Sequence, residues 1–402
     1  MIPFDRSVGK QFRSGTHRSR SAGDTVERIS RVAPALGITR VADVTGLDFI
    51  GIPVVTVCRP NARSLSVTQG KGVTLDAAKA SGLMESVELF HAERIGAPVR
   101  FASYDELRLR VAVADVARLP RPRASPFHEH LRILWLESAD LLSERAVWIP
   151  LELIHLDCTR PAPPGAGSFR SSSNGLASGN DRWEATIHAI CEVLERDALS
   201  RFSGLPPEAQ DARRVDLSTV DDPGCRALLA RYDAARVSVA VWDTTGATGV
   251  ASCLCGIAVD ADRAGAGPRL YYGMGCHPDR GIALSRALTE AAQARLTMIT
   301  GSRDDATRSL YALAADADRR ARQREWFERG TARRGYRMIP HWESDDLAED
   351  GRWLLQRLAA GGFEQALAVD LTIPGLDIPV MYVAIPGAEA MGGFEAPADT
   401  AA

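Results

Sequence analysis

The sequence predicts an α/β protein in which mixed sheets pack against helices. Two observations carry this. Short runs of apolar and β-branched residues, such as Val54-Val55-Thr56-Val57 and Val380-Met381-Tyr382-Val383, recur along the chain. Between them lie longer segments whose apolar residues return at helical spacing. No internal repeat or heptad array interrupts that pattern. The 402 residues, 45% hydrophobic and 25% charged, suffice for one large domain or two ordinary ones with a sizeable core.

In order, the polar, arginine-rich start runs to Arg20, and Asp24 or Thr25 opens a helix that Gly37 stops after Leu36. Strands are expected over 41–44, 50–57 and 64–68, then a turn at Gln69-Gly70-Lys71-Gly72 and a helix from Leu75 to Arg94. Further strands are expected over 132–136 and 147–157. The Pro/Gly-rich stretch from Arg160 to Gly167 reads as a mobile loop beside a site. A Ser/Gly/Asn-rich turn then leads into a helix that Asn180 or Asp181 can cap. Strands at 237–243, 251–259 and 270–274 precede a helix from Arg280 to Ile299 and a charged helical stretch from Leu310 to Glu328. Strands at 367–371 and 380–385 close the sheet, and the Gly/Ala/Pro-rich end from Gly392 reads as loose.

A formal net charge of −3 gives no pull towards nucleic acid or an anionic membrane. No apolar run reaches membrane length, and the start carries no signal core. The seven cysteines are odd in number and mostly set among apolar residues, which suits reduced thiols in a cytoplasmic protein. Cys253 and Cys255 are expected to alternate onto one face of a strand as core filling. Only Lys10, Lys71 and Lys79 are lysines, a bias ascribed to GC-rich coding.

The chemistry lies in three helical stripes. In the helix after Asp181, Ile187, Ile190, Val193 and Leu194 share one side, while Glu184, His188, Glu192 and Glu195 share another with Arg196 at its margin. Ser81, Glu85 and Glu88 repeat this spacing in the helix after Gly72. Arg286, Glu290 and Gln293 repeat it after Asp279. Such stripes are either solvated helix faces or walls of one cleft. If they converge, Glu85, Glu88, Glu184, Glu192, Glu195 and Glu290 cannot all stay ionised unaided. Mg2+ bridging to phosphate oxygens would resolve this, with Arg196 and Arg286 as fixed positive partners.

The known nucleotide motifs are missing. Gly70-Lys71-Gly72 is not a Walker A, since Leu65 stands where the first glycine is needed and Gly72 follows the lysine. A Rossmann GxGxxG is missing too. His128 and His130 share a strand face but have no third zinc ligand nearby in sequence. His17, in a basic loop, reads equally well as a surface residue.

These pieces together resemble the YcaO family. They are Gly70-Lys71-Gly72 with Ser81 to Glu88, then Asn180 and Glu184 with Glu192 to Arg196, then Arg286, Glu290 and Gln293. The likeness runs from about Lys10 to about Pro386. The segments Arg13 to Arg18 and Ile38 to Asp48 look most like the branch associated with TfuA partners, which installs backbone thioamides.

The resemblance implies a YcaO-type catalytic domain over 1–388 and a flexible tail over 389–402. It implies ATP and Mg2+ as cofactors, a peptide or protein substrate, a TfuA-like partner and a homodimer. The six glutamates match the family's metal and ATP carboxylates, and Ser81 and Asn180 its polar nucleotide contacts. Arg196 and Arg286 match its phosphate-facing arginines, and Gln293 also falls among the nucleotide contacts. Arg18 and Thr25 match an N-terminal Lys…Ser pair, with Lys10 a rival for the place of Arg18. Glu85, Glu195 and Arg286 are the residues expected to bear most directly on catalysis. Two departures stand out. Leu89 replaces an arginine of the first helix, and the C-terminus lacks the Pro-rich ending of azoline-forming members. With no room for a fused substrate-binding domain, the resemblance favours thioamide formation over a self-contained cyclodehydratase or a non-catalytic accessory role.

Overall fold

A computed structural model describes residues 6–259 and 270–389. The expected tail lies outside them except for Glu389. The first helix opens earlier than expected. Ser21 accepts from the Asp24 N–H while the Asp24 carboxylate accepts from Ser21, a capping box that satisfies orphan donors. α1 (Ala22–Leu36) then ends at Gly37, whose φ of 73° suits glycine.

β1 (Arg40–Asp43), β2 (Val54–Cys58) and β3 (Val67–Lys71) form an antiparallel sheet in that order. The expected turn at Gln69–Gly72 is corrected here, because Gln69, Gly70 and Lys71 finish β3. Gly70 serves close approach instead. A Cβ there would lie 2.0 Å from the Ala78 carbonyl oxygen and 2.1 Å from the Gly82 nitrogen, both on α2 (Leu75–Ala92). Gly70→Ala is therefore expected to cost about 3 kcal/mol through overpacking, read as a lower denaturant midpoint. An unchanged midpoint would show that the strand and helix are not pressed together.

β4 (Val99–Ala102) and α3 (Tyr104–Arg108), which the sequence reading does not reach, precede β5 (Ile133–Asp140), β6 (Ala146–Pro150) and β7 (Leu176–Ser178). The stretch from Arg160 to Gly167 packs against β5. A Cβ on Gly165 would meet Ile133 at 2.4 Å. It supplies no wall of the cavity described below, so the expectation of a loop beside the site is corrected.

α4 (Arg182–Ser203) is capped by Asp181, which accepts from the Trp183 N–H at 2.8 Å. Asn180 is thereby left for the cavity. α5 (Pro207–Asp211), β8 (Val215–Asp216) and α6 (Pro223–Ala234) follow. β9 (Ser238–Asp243), β10 (Ser252–Ala258) and β11 (Leu270–Cys276) form a second antiparallel sheet with β10 central. Cys253 and Cys255 are buried in the core that this sheet shares with Ala283 and Leu284.

α7 (Arg280–Thr300) covers that sheet. The expected helix over 310–328 is two, α8 (Arg308–Ala315) and α9 (Ala317–Glu328). Asp316 breaks it, ending one and capping the other through the Arg319 N–H. β12 (Arg334–Gly335) pairs in parallel with β8. After α10 (Leu347–Ala360), β13 (Leu367–Asp370) and β14 (Val380–Ala384) enter the largest sheet. Its order is β4-β5-β13-β14-β7, with β6 also paired to β5. The last two strands therefore lie inside the sheet and not at its edge. Leu367, Val380, Met381 and Val383 are fully buried.

The three long helices form a cycle. α2 lies on β3 and also touches β7, α4 lies on β14 and β7 and touches β11, and α7 lies on β11 and touches β3. Each helix thus rests on one sheet and leans on the next. Their apolar sides hold them there: Leu83 and Val87 on α2, Ile187 and Ile190 on α4, Leu284 and Leu288 on α7 are all buried. Their polar sides are left facing one another. No helix among the described residues is long and apolar enough to cross a membrane.

Candidate functional site

The cycle encloses a cavity of about 520 Å³. α2 brings Ser81, Glu85 and Glu88 to its wall. α4 brings Glu184, His188, Glu192, Glu195 and Arg196, and α7 brings Arg286, Glu290 and Gln293. Asn180, from the turn before α4, and Arg18 and Thr25, from the N-terminal segment, also line it. All the residues of the three stripes are therefore at this cavity, together with Asn180, Arg18 and Thr25, and the stripes are not solvated faces. Lys10 is not there. Its Nζ is 2.6 Å from Asp350 Oδ2, with both side chains 1% exposed, whereas Arg18 lines the cavity.

Backbone and hydroxyl donors orient the carboxylates. Glu184 accepts from the Ser19 hydroxyl at 2.6 Å and from the Asn180 N–H at 2.9 Å. The Asn180 amide also donates to the Thr25 hydroxyl at 3.0 Å, which ties α1 to the start of α4. Glu88 accepts from the Ser178 N–H at 2.8 Å and its hydroxyl at 2.7 Å. Glu85 accepts from the Gln69 N–H at 3.2 Å and faces Arg303 at 3.9 Å. Glu195 lies 3.8 Å from Arg196, and Glu290 lies 2.7 Å from Lys71.

Burial dominates the electrostatics. It raises Glu85 and Glu195 above the ordinary carboxylate range, against Arg303 and Arg196 respectively. It lifts Glu88 to about 8 and Glu192 to about 7, against the Ser178 hydrogen bond and Arg196. Glu290 goes the other way: burial opposes its charge, but Lys71 and Arg196 outweigh it. His188 is held neutral by burial, reinforced by Arg286, Arg18 and Lys71.

The cavity matches its six glutamates with six basic side chains, Arg18, Arg20, Lys71, Arg196, Arg286 and Arg303, yet burial still favours protons on Glu85, Glu88, Glu192 and Glu195. A divalent cation in their place fits this donor set. Among the described residues no three His, Cys, Asp or Glu side chains already converge on one metal position. The set would therefore suit Mg2+ that arrives together with a nucleotide, not a preformed all-protein cage.

A pH dependence follows. Glu88 and Glu192 have folded pKa values above their unfolded ones, so their contribution to stability is fully present below the ordinary carboxylate pKa and is lost as pH rises through about 7 to 8. Above about pH 7, where the buried histidines His17, His91, His188 and His277 no longer add stability with rising pH, the melting temperature of the ligand-free protein is expected to fall from about pH 7 to about pH 9. Mg2+ with nucleotide, were these carboxylates to hold it, would displace those protons and flatten or reverse the slope. Scanning calorimetry at both pH values, with and without ligand, reads this. A ligand-free melting temperature that rises over that interval would refute it.

Several lining residues escaped the sequence reading. Lys71 stands in the quoted Gly70-Lys71-Gly72 piece without a role, and Gln69 has none either, because the segment reads as a turn, although period-two alternation on a strand places both on one face. Arg303 lies in the loop after α7 and carries no local signal. His17 is not on the surface. It is 6% exposed, with its ring 5.4 Å from that of His277, and burial helped by Lys10 lowers its pKa to about 4. Leu89 is buried at the cavity wall, an apolar surface where the resemblance implied an arginine.

Residues 69–389 match the family described as YcaO cyclodehydratase, ATP- and Mg2+-binding. An uncharacterized protein in the tfuA 3′ region of Rhizobium leguminosarum bv. trifolii is 36% identical over 360 residues, covering 88% of this chain and 84% of its own length. One from Methanothermobacter thermautotrophicus is 35% identical over 383 residues, covering 91% and 93%. Among solved structures, a heterocyclase in complex with substrate and cofactor superposes with a TM-score of 0.80 at 21% identity. The match covers 96% of this chain but only 54% of the heterocyclase, so this chain spans about half of that protein's length. YcaO from Methanopyrus kandleri, bound with AMPPCP and Mg2+, superposes with a TM-score of 0.73 at 21% identity, covering 95% and 94%. These structural likenesses show the fold.

Proposed function

This chain belongs to the YcaO family, which is described as binding ATP and Mg2+, and from that premise we propose that it modifies a peptide backbone amide by phosphorylating its oxygen. The observation that carries the reading is the convergence of six glutamates from three distant helices on one cavity. Glu85, Glu88, Glu184, Glu192, Glu195 and Glu290 would hold Mg2+. Ser81, Asn180, Thr25, Arg18 and Gln293 would contact the nucleotide, and Arg196 and Arg286 its phosphates. Bound Mg2+ supplies positive charge to the phosphate oxygens during transfer. Arg286 and Arg196 fix the direction from which the amide oxygen approaches, and the buried walls exclude water that would hydrolyse ATP unproductively.

The product we favour is a thioamide. Hydrosulfide adds to the amide carbon, and the amide oxygen attacks the γ-phosphorus as the bond to ADP breaks. The carbon–oxygen bond then breaks with phosphate as the leaving group, and loss of the sulfur-bound proton leaves C=S. Oxygen departs in phosphate, and no oxidant is needed. The tfuA-region relative supports this choice, and with it a TfuA-like partner that supplies or delivers sulfur. Azoline formation is the second reading, favoured by the cyclodehydratase in the family description. There a Cys, Ser or Thr side chain of the peptide replaces hydrosulfide. In either case residues 1–388 act as one catalytic domain, supported by Arg18 and Thr25 lining the same cavity as the matched region, and we extend the reading to a homodimer.

Incubation with a candidate peptide, ATP, Mg2+ and sulfide, with and without a TfuA-like protein, tests the reading by mass spectrometry. Sulfur-for-oxygen exchange is expected. Loss of water would select the azoline reading. ATP turnover without change to any supplied peptide would overturn both.

A further inference from the structure

All but three of the 48 basic residues are arginine. Lys10 is sealed against Asp350, Lys79 lies on α2, and Lys71 enters the cavity. Its Nζ stands 2.7 Å from Glu290 Oε2, and the two side chains are 23% and 22% exposed, towards the cavity. The pair joins β3 to α7, two of the cavity's walls.

A carboxylate held this way is not free to take a divalent cation. The ammonium and the metal would compete for the same lone pairs and repel each other at short range. The identity of the cation matters. An ammonium is a compact charge on a flexible stem, whereas a guanidinium would grip the carboxylate with a planar fork and yield less readily. Once displaced, Nζ remains tethered to β3 among Arg18, Arg196 and Arg286, which also line the cavity. Metal alone would part it from Glu290 and leave it only the longer-range attraction of Glu85 and Glu195 against these arginines. A polyphosphate arriving with the metal gives it a new anion.

We propose that Lys71 is an internal counter-ion that passes from Glu290 to the nucleotide's phosphates as Mg2+ enters, so that metal and nucleotide bind as a coupled pair. This rests on assigning the cavity to Mg2+ and ATP, but not on which product is formed.

The test uses the full chain, Mn2+ as a paramagnetic probe in place of Mg2+, and a non-hydrolysable ATP analogue. In the parent protein Mn2+ alone is expected to bind weakly, and the analogue to tighten it about tenfold or more. Lys71→Met is expected to bind Mn2+ alone more tightly than the parent, with little further tightening by the analogue. Lys71→Arg keeps a cation on Glu290 and should bind Mn2+ alone no better than the parent. Melting curves without ligand show whether each variant is folded, and Lys71→Gln replaces the Met variant if that one is not. A folded Lys71→Met whose Mn2+ affinity matches the parent's overturns the proposal. So does one that loses only affinity for the analogue, because Lys71 would then be a plain phosphate anchor. A parent that binds neither probe would instead overturn the assignment of the cavity, and this proposal with it.

Discussion

Replacing Glu192 with glutamine is expected to abolish most of the ATP-dependent activity while making the ligand-free protein more heat-stable. Glu192 sits on the cavity face of α4, and burial lifts its pKa to about 7. At about pH 8 it ionises against that burial, and the cost is borne by the fold. Glutamine keeps the shape and removes the charge, so the melting temperature should rise by about 1–2 °C. The same change removes a carboxylate that we assign to Mg2+, and turnover should fall by about 10²–10³. The thermal shift that Mg2+ and nucleotide give the parent should shrink with it. A variant that keeps the full ligand-induced shift would remove Glu192 from the proposed metal site. A variant that melts lower without ligand would show that its carboxylate is structural.

Arg286→Ala is the second large effect. The Arg286 guanidinium reaches the Cys276 carbonyl only at 3.5 Å, and it otherwise faces the cavity. It weighs against protonation of His188 and against the charge of Arg18, so in the empty cavity it is one of several mutually repelling cations. Its removal should leave the melting temperature of the ligand-free protein unchanged or slightly raised. Nucleotide affinity and turnover should both fall, turnover by about 10²–10³. Arg286→Lys should recover little, because an ammonium cannot reproduce the planar fork on a phosphate. A structural arginine would show the opposite pattern, with lower stability and a catalytic rate per folded molecule that barely changes. Steady-state kinetics and melting curves on the same samples separate the two.

Much of the site was legible because an α-helix is periodic. Spacings of three and four residues put Glu85 with Glu88, Glu184 with His188 and Glu192, and Arg286 with Glu290 on common faces, whatever surrounds them. The apolar residues opposite, such as Ile187 and Ile190, showed which side would be buried. Legibility failed where a residue's role depends on a distant neighbour. Gly70 reads as a turn residue until α2 is seen lying against it, and that reading gives Lys71 no place in the cavity. Arg303 and the buried His17–His277 contact join segments far apart in the chain, and no local pattern announces them.

The sequence by itself determined the inventory of the site: which three long segments become its helices, which side chains share a face, and which family's pattern they match. Only the tertiary structure decided that the three polar faces close on one cavity. Each helix is placed by packing its apolar side on one sheet and leaning on the next, and those contacts are long-range. The raised carboxylates follow from the same cause, because burial is a property of the assembled walls and not of any one helix.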